Sequence, residues 1–223
     1  MNRPRRAVSE RPKRLEDSVS VNEPAQASVL RKVDGRRLRS ERTRLRIIEA
    51  YLQLLRRNST MPTASQIADE AGFSVRSLFE RFSDLNTLSL ATADYAIAKG
   101  QEEAGARNVD GDRTTRIRSH VETRALACEK WLPLWRVLLS QEQIELRQRI
   151  ALVRFANIDR MMLMYQPELA MLAQTERDQL LIALATLISF ESWDQLRHCY
   201  GLSVSDGQAL WCTAIDRMLP LCP

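Results

Sequence analysis

Polar side chains on one side of a short stretch offer the clearest chemistry in this chain. In TASQIADEAGFSVRSLFERF, Thr63 to Phe82, the apolar positions Val75, Leu78, Phe79 and Phe82 predict a helical face turned to a core. That leaves Arg76, Ser77 and Arg81 facing away from it. A guanidinium fork can bond O6 and N7 of guanine together, which discriminates by about 1–3 kcal/mol against the wrong base. Arg76 is the candidate for that role, Ser77 can bond a base or a phosphate, and Val75 can touch a thymine methyl. Thr63, Ser65 and Gln66 open the preceding helix and suit backbone contacts that set register. The plainer alternatives are that Thr63 and Ser74 act only as caps, and that Arg76 is a solvated surface charge.

The elements that must position these groups are two short helices and a turn. Thr63 fits an N-cap, with Gln66 three residues on as a capping box requires. Ile67, Ala68 and Ala71 make one small apolar face, and Gly72 suits a left-handed C-cap. Ser74 then caps a second helix over 74–82, whose N-terminal N–H groups and dipole attract phosphate. Helix, tight turn, helix is the unit that lays its second helix in a DNA major groove. The alternative is an ordinary corner between two helices.

Composition narrows the classes. The chain has 223 residues, 44% of them apolar, few Gly and few aromatics, which favours an all-α fold with a real core. Residues 1–40 hold eleven Lys/Arg against five Asp/Glu, a net +6, whereas 41–100 carry +1 and 101–223 carry −2. The positive charge lies next to the candidate reading unit, where phosphate attraction helps. No apolar run reaches the length that spans a bilayer, and the N-terminus lacks the apolar segment of a secretory signal, so no membrane partner and a cytoplasmic location are expected. Cys128, Cys199, Cys212 and Cys222 show no ligand spacing and are read as reduced apolar fillers. His120 and His198 lie far apart, so no metal and no cofactor are expected. No GxxxxGK[ST], HExxH or GxSxG occurs, which argues against an enzyme.

In chain order, residues 1–38 read as a disordered basic arm, either inert or following the DNA backbone or minor groove. Residues 39–83 read as a DNA-binding domain, with Ser40 capping a helix over 41–57. In that helix Leu45, Ile48, Leu52 and Leu55 recur at helical spacing, and Arg42, Arg44 and Arg46 fall mostly on the other side. Residues 84–223 read as a larger helical regulatory and dimerisation domain. Asp84 caps a helix over 85–106, and further helices are expected at 112–130, 133–140, 141–165, 175–200 and 206–220, the last capped by Ser205. Leu184, Ile188 and Trp193, with Trp211, Ile215 and Met218, form broad stripes that are either core or a dimer interface. A dimer would set two reading helices about 34–36 Å apart, or further on a longer site, and so bind a near-palindrome.

The pattern T-x-x-x-I-A-x-x-A-G-h-S-x-x-x-h-[YF]-x-x-F-x-x-x-x-x-L is met by Thr63, Ile67, Ala68, Ala71, Gly72, Phe73, Ser74, Leu78, Phe79, Phe82 and Leu88. It resembles the tetracycline-repressor (TetR) family of bacterial transcriptional regulators. The resemblance covers about 45 residues; the rest is similar only in helix number, length and order, and in SFESWDQLRHCYGLS before a closing helix. It implies an N-terminal three-helix bundle containing the helix-turn-helix, and a repressor that binds double-stranded DNA as a homodimer. It also implies release by a small apolar inducer held among helices such as 85–106, 112–130 and 141–165. Trp131, Trp135, Arg154, Asn157 and Met161 are candidates for that pocket, with Phe155, Met162 and Tyr165 beside them; plain core packing is the alternative. Two family positions differ here: Phe79 replaces a phosphate-binding Tyr, and Leu85 replaces a Lys. Arg81 falls where a phosphate-binding residue is usual. A competing reading is a helical interaction module whose basic arm binds nucleic acid non-specifically.

Overall fold

The computed structural model describes residues 23–58, 60–104 and 109–221, with side chains from residue 37 onward. The described residues are all-α, with no strand among them. The described residues divide into two units, with the boundary after Arg42.

α1 spans Glu23–Arg57. It begins well before the expected start at residue 41, and Ser40 lies inside it rather than capping it. The sequence explains the extension. Residues 25–40 contain Ala25, Val29, Leu30, Val33 and Leu38 at near-helical spacing, and only Gly35 weakens the run. The expected basic arm therefore lies outside the described residues over 1–22 and is helical from Glu23. Within the first unit, Arg37 and Glu41 pair at 3.1 Å on the exposed helix surface.

In the second unit, α1 buries Ile47, Ile48, Tyr51, Leu52 and Leu55, while Leu45 at its start stays exposed. α2 (Ala64–Ala71), α3 (Val75–Phe79) and α4 (Leu85–Ala104) follow. Ile67, Ala68, Ala71, Leu78, Phe82 and Leu88 close the core around them. The Tyr51 hydroxyl meets Ser89 Oγ of α4 at 3.1 Å in this buried layer. Asp84 caps α4 as its position predicts, accepting from the Thr87 N–H at 2.7 Å. That bond holds the Asp84 carboxyl below its ordinary value.

α5 (Arg113–Ser140) and α6 (Ile144–Met164) are the longest described helices after α1. α5 runs through Pro133 instead of stopping before it, a correction to the expected break. A mid-helix proline loses one backbone bond. Trp131, Leu132, Leu134 and Trp135 are all buried beside it, and their burial offsets that loss. α7 (Gln166–Leu169) holds Pro167 in its first turn. The expected helix over 175–200 is three pieces: α8 (Gln174–Leu187), α9 (Phe190–Asp194) and a π turn, Gln195–Cys199. Ser189 makes the break by capping α9, its hydroxyl accepting from the Ser192 N–H at 3.0 Å. α10 (Val204–Met218) is capped by Ser203, not Ser205, with Asp206 N–H donating at 3.1 Å.

α5 packs against α4, α6, α9 and α10 and is the axis of this part. The Trp193 and Trp211 rings meet at 4.6 Å, both fully buried. Gly207 permits that approach, because a Cβ there would stand 3.0 Å from the Trp193 ring. Arg113 ties the start of α5 to the end of α10, donating to Asp216 Oδ1 at 2.8 Å and the Leu219 carbonyl at 3.0 Å. Beneath it Arg116 and Glu168 form a buried bidentate pair at 2.7 and 2.9 Å. Among the described residues, Cys128 is buried, with its thiol pushed up to about 11 by desolvation. Cys199 is exposed and so is no core filler, and Cys222 lies outside the described residues. No helix among the described residues is long and apolar enough to cross a membrane.

Candidate functional site

The turn between α2 and α3 is built from local rules. Thr63 caps α2: its Oγ1 accepts from the Gln66 N–H at 3.3 Å, and Gln66 Oε1 accepts from the Thr63 N–H at 2.9 Å. Gly72 ends α2 at φ 73°, a left-handed conformation that an L side chain strains to adopt. Ser74 caps α3, accepting from the Ser77 N–H at 3.2 Å and donating to Ser77 Oγ at 3.1 Å.

Two arginines of α1 brace this unit, Arg46 at the turn and Arg44 beyond the end of α3. Arg46 donates to the Ala71 carbonyl at 3.1 Å and lies over the Phe73 ring at 4.8 Å. Arg44 donates to the Arg81 carbonyl at 3.2 Å and lies over the Phe82 ring at 4.4 Å. Each guanidinium satisfies a carbonyl at or just beyond a helix end and covers an aromatic face. The charge pattern marked these arginines only as lying off the apolar stripe.

On the outer side, Arg76 has the most exposed side chain of this unit's ion pairs, 88%, and its Nε pairs with Glu80 at 3.1 Å. Thr63, Ser65, Gln66, Ser74 and Val75 are also exposed, and Ser77 is half-buried. These seven residues lie at the starts of α2 and α3. Three details depart from expectation. α3 covers five residues instead of 74–82. Phe79 is 43% exposed and Val75 38%, so of the four expected core positions only Leu78 and Phe82 are buried. Arg81 is only partly outward: its side chain is one-third exposed, and its Nε is buried without a hydrogen-bond partner among the described residues.

A second feature is a cavity of about 550 Å³ bounded by α4, α5 and α6, with Phe190 of α9. Trp131, Trp135 and Asn157 line it, and Phe155 stands at its exposed edge. Met161 does not line it and is fully buried in the core. Arg154 turns to an adjacent groove, where it pairs with Glu191 at 2.8 Å. Tyr165 is core as well, its hydroxyl 2.7 Å from His120 Nδ1, and Met162 is exposed. Helical periodicity places these side chains on a face but does not say which neighbour that face meets.

The candidate dimer residues are corrected by burial. Leu184, Ile188, Trp193, Trp211 and Ile215 lie within 1% of full burial in the single chain and have no surface left for a second copy. Their stripes face α5, α6 and each other; only Met218 is exposed, at 37%. Comparison with protein-family models, with curated proteins and with solved structures finds no match to this chain.

Proposed function

We propose that the chain is a DNA-binding transcription regulator of the TetR kind, a repressor acting as a homodimer on a near-palindromic site. The observation that carries this reading is the orientation of α3: Leu78 is fully buried, while Arg76 on the opposite side is 88% exposed at the side chain. In this reading residues 39–83 are the reading head, with Arg76 on a guanine edge, Val75 against a thymine methyl and Ser77 on a base or phosphate. Thr63, Ser65, Gln66 and Ser74 hold the backbone and set register. Arg81 binds a phosphate, and the net +6 over residues 1–40 adds sequence-independent attraction.

Residues 84–223 hold two copies together and carry the response. Ile182 of α8 and Leu210 and Met218 of α10 are the exposed apolar side chains proposed to face the second copy. The cavity is the proposed ligand site. α4 is one of its walls and starts six residues after α3 ends, so a ligand that favours one placement of α4 shifts the spacing of the reading heads. Selection of bound duplexes from a random pool tests the reading. A two-fold symmetric consensus supports it; binding that falls alike for every duplex as salt rises supports a charge-only interaction module instead.

A further inference from the structure

The cavity among α4, α5 and α6 is lined by two residues whose donors internal packing leaves unanswered. Two of its lining residues carry buried polar atoms without a hydrogen-bond partner among the described residues: Nε1 of Trp131, and Nε and Nη2 of Arg160. All three are donors, and none can accept. Trp131 is 7% exposed. Burial alone pushes the Arg160 guanidinium below its ordinary value, and it remains cationic. The other cations on the wall are engaged: Arg149 donates to Asp94 at 3.0 Å, and Arg124 donates to the Ile188 carbonyl at 2.8 Å. A shielded donor without an acceptor is costly, and a bound acceptor removes that cost. Leu134, Trp135, Val153 and Phe155 make much of the remaining wall apolar.

We propose that this cavity binds an amphipathic carboxylate, its aryl or acyl body against the apolar wall and its head group on the Arg160 guanidinium, which turns on its side chain to meet it. The proposal rests on the reading of the cavity as a ligand site and adds the ligand's class. A single unengaged cation matches a monoanion, and Asp159 at the same cavity repels a more highly charged head.

The test uses the purified full chain with naphthalene-2-carboxylate and octanoate, each against its neutral partner, naphthalene-2-carboxamide or 1-octanol. Thermal shift and intrinsic tryptophan fluorescence report binding. The carboxylates are expected to bind at least about tenfold more tightly than the neutral partners. Arg160→Met is expected to abolish that preference, to leave the neutral partners' affinity unchanged, and to raise the melting temperature of the free protein. Arg160→Gln serves if the Met variant does not fold. Equal binding of acid and neutral forms, binding of none of them, or a preference that survives Arg160→Met overturns the proposal. Neither readout contains DNA, so failure here is distinct from failure of the duplex selection.

Discussion

Replacing Arg46 by Ala tests what holds the α2–α3 turn in place. The substitution removes the donor 3.1 Å from the Ala71 carbonyl and the guanidinium 4.8 Å from the Phe73 ring. A hydrogen bond from a charged group contributes about 1.5–3 kcal/mol, and partial exposure puts this one at the low end, since water can reach the freed carbonyl. An exposed cation over an aromatic ring adds about 0.5–1 kcal/mol. The expected loss is about 2 kcal/mol, or roughly 4–8 °C in melting temperature for a unit of this size. Urea unfolding of the full chain measures it, with Arg56→Ala as the control for removing an exposed arginine from the same helix. A double-mutant cycle with Phe73→Leu should return a coupling of about 0.5 kcal/mol. If Arg46→Ala and Arg56→Ala are equally stable, the bracing role of Arg46 is refuted.

Other expectations follow from single contacts. Glu80→Gln frees Arg76 from its 3.1 Å partner and removes a negative charge beside the reading face, so DNA affinity should rise in a binding isotherm at fixed salt. Gly207→Ala sets a methyl 3.0 Å from the Trp193 ring and should cost about 1–3 kcal/mol by denaturant unfolding. Glu168→Gln leaves the buried Arg116 without its carboxylate and should cost about 3–5 kcal/mol. Burial resists ionisation of Glu168, but the hydrogen bonds from Arg116, a backbone hydrogen bond, and the positive charge of Arg116 and Arg113 outweigh it and hold the carboxyl below its ordinary value. Its contribution is therefore fully present above about pH 4.5, the unfolded value, and is lost as pH falls through the lower folded value. Wild type should lose stability over that acid range and Glu168→Gln should lose less.

What was legible in the sequence was what neighbouring residues decide. The Thr63–Gln66 box, the Gly72 cap and the Asp84 cap each join groups within a few positions, so residue type and spacing suffice. The break at Ser189 used the same signal, but the apolar run through Leu184 and Ile188 hid it. Pro133 misled in the other direction, because long-range burial of Trp131 and Trp135 keeps α5 whole across it. The five buried stripe residues of α8, α9 and α10 show the larger limit. An apolar face seeks a partner, but spacing does not say whether that partner is the same chain or another. Arg44 and Arg46 act across 37 and 25 residues, and Arg160 becomes notable only as part of a cavity wall; no local pattern marks either.

The central claim is that the face of α3 opposite Leu78 reads bases. Duplex selection from a random pool, run with wild type and Arg76→Ala side by side, tests it most directly. The account predicts a two-fold symmetric consensus for wild type and loss of preference at one guanine in each half-site for the variant, about 1–3 kcal/mol per position. An identical consensus for both proteins would contradict it, as would the absence of any consensus.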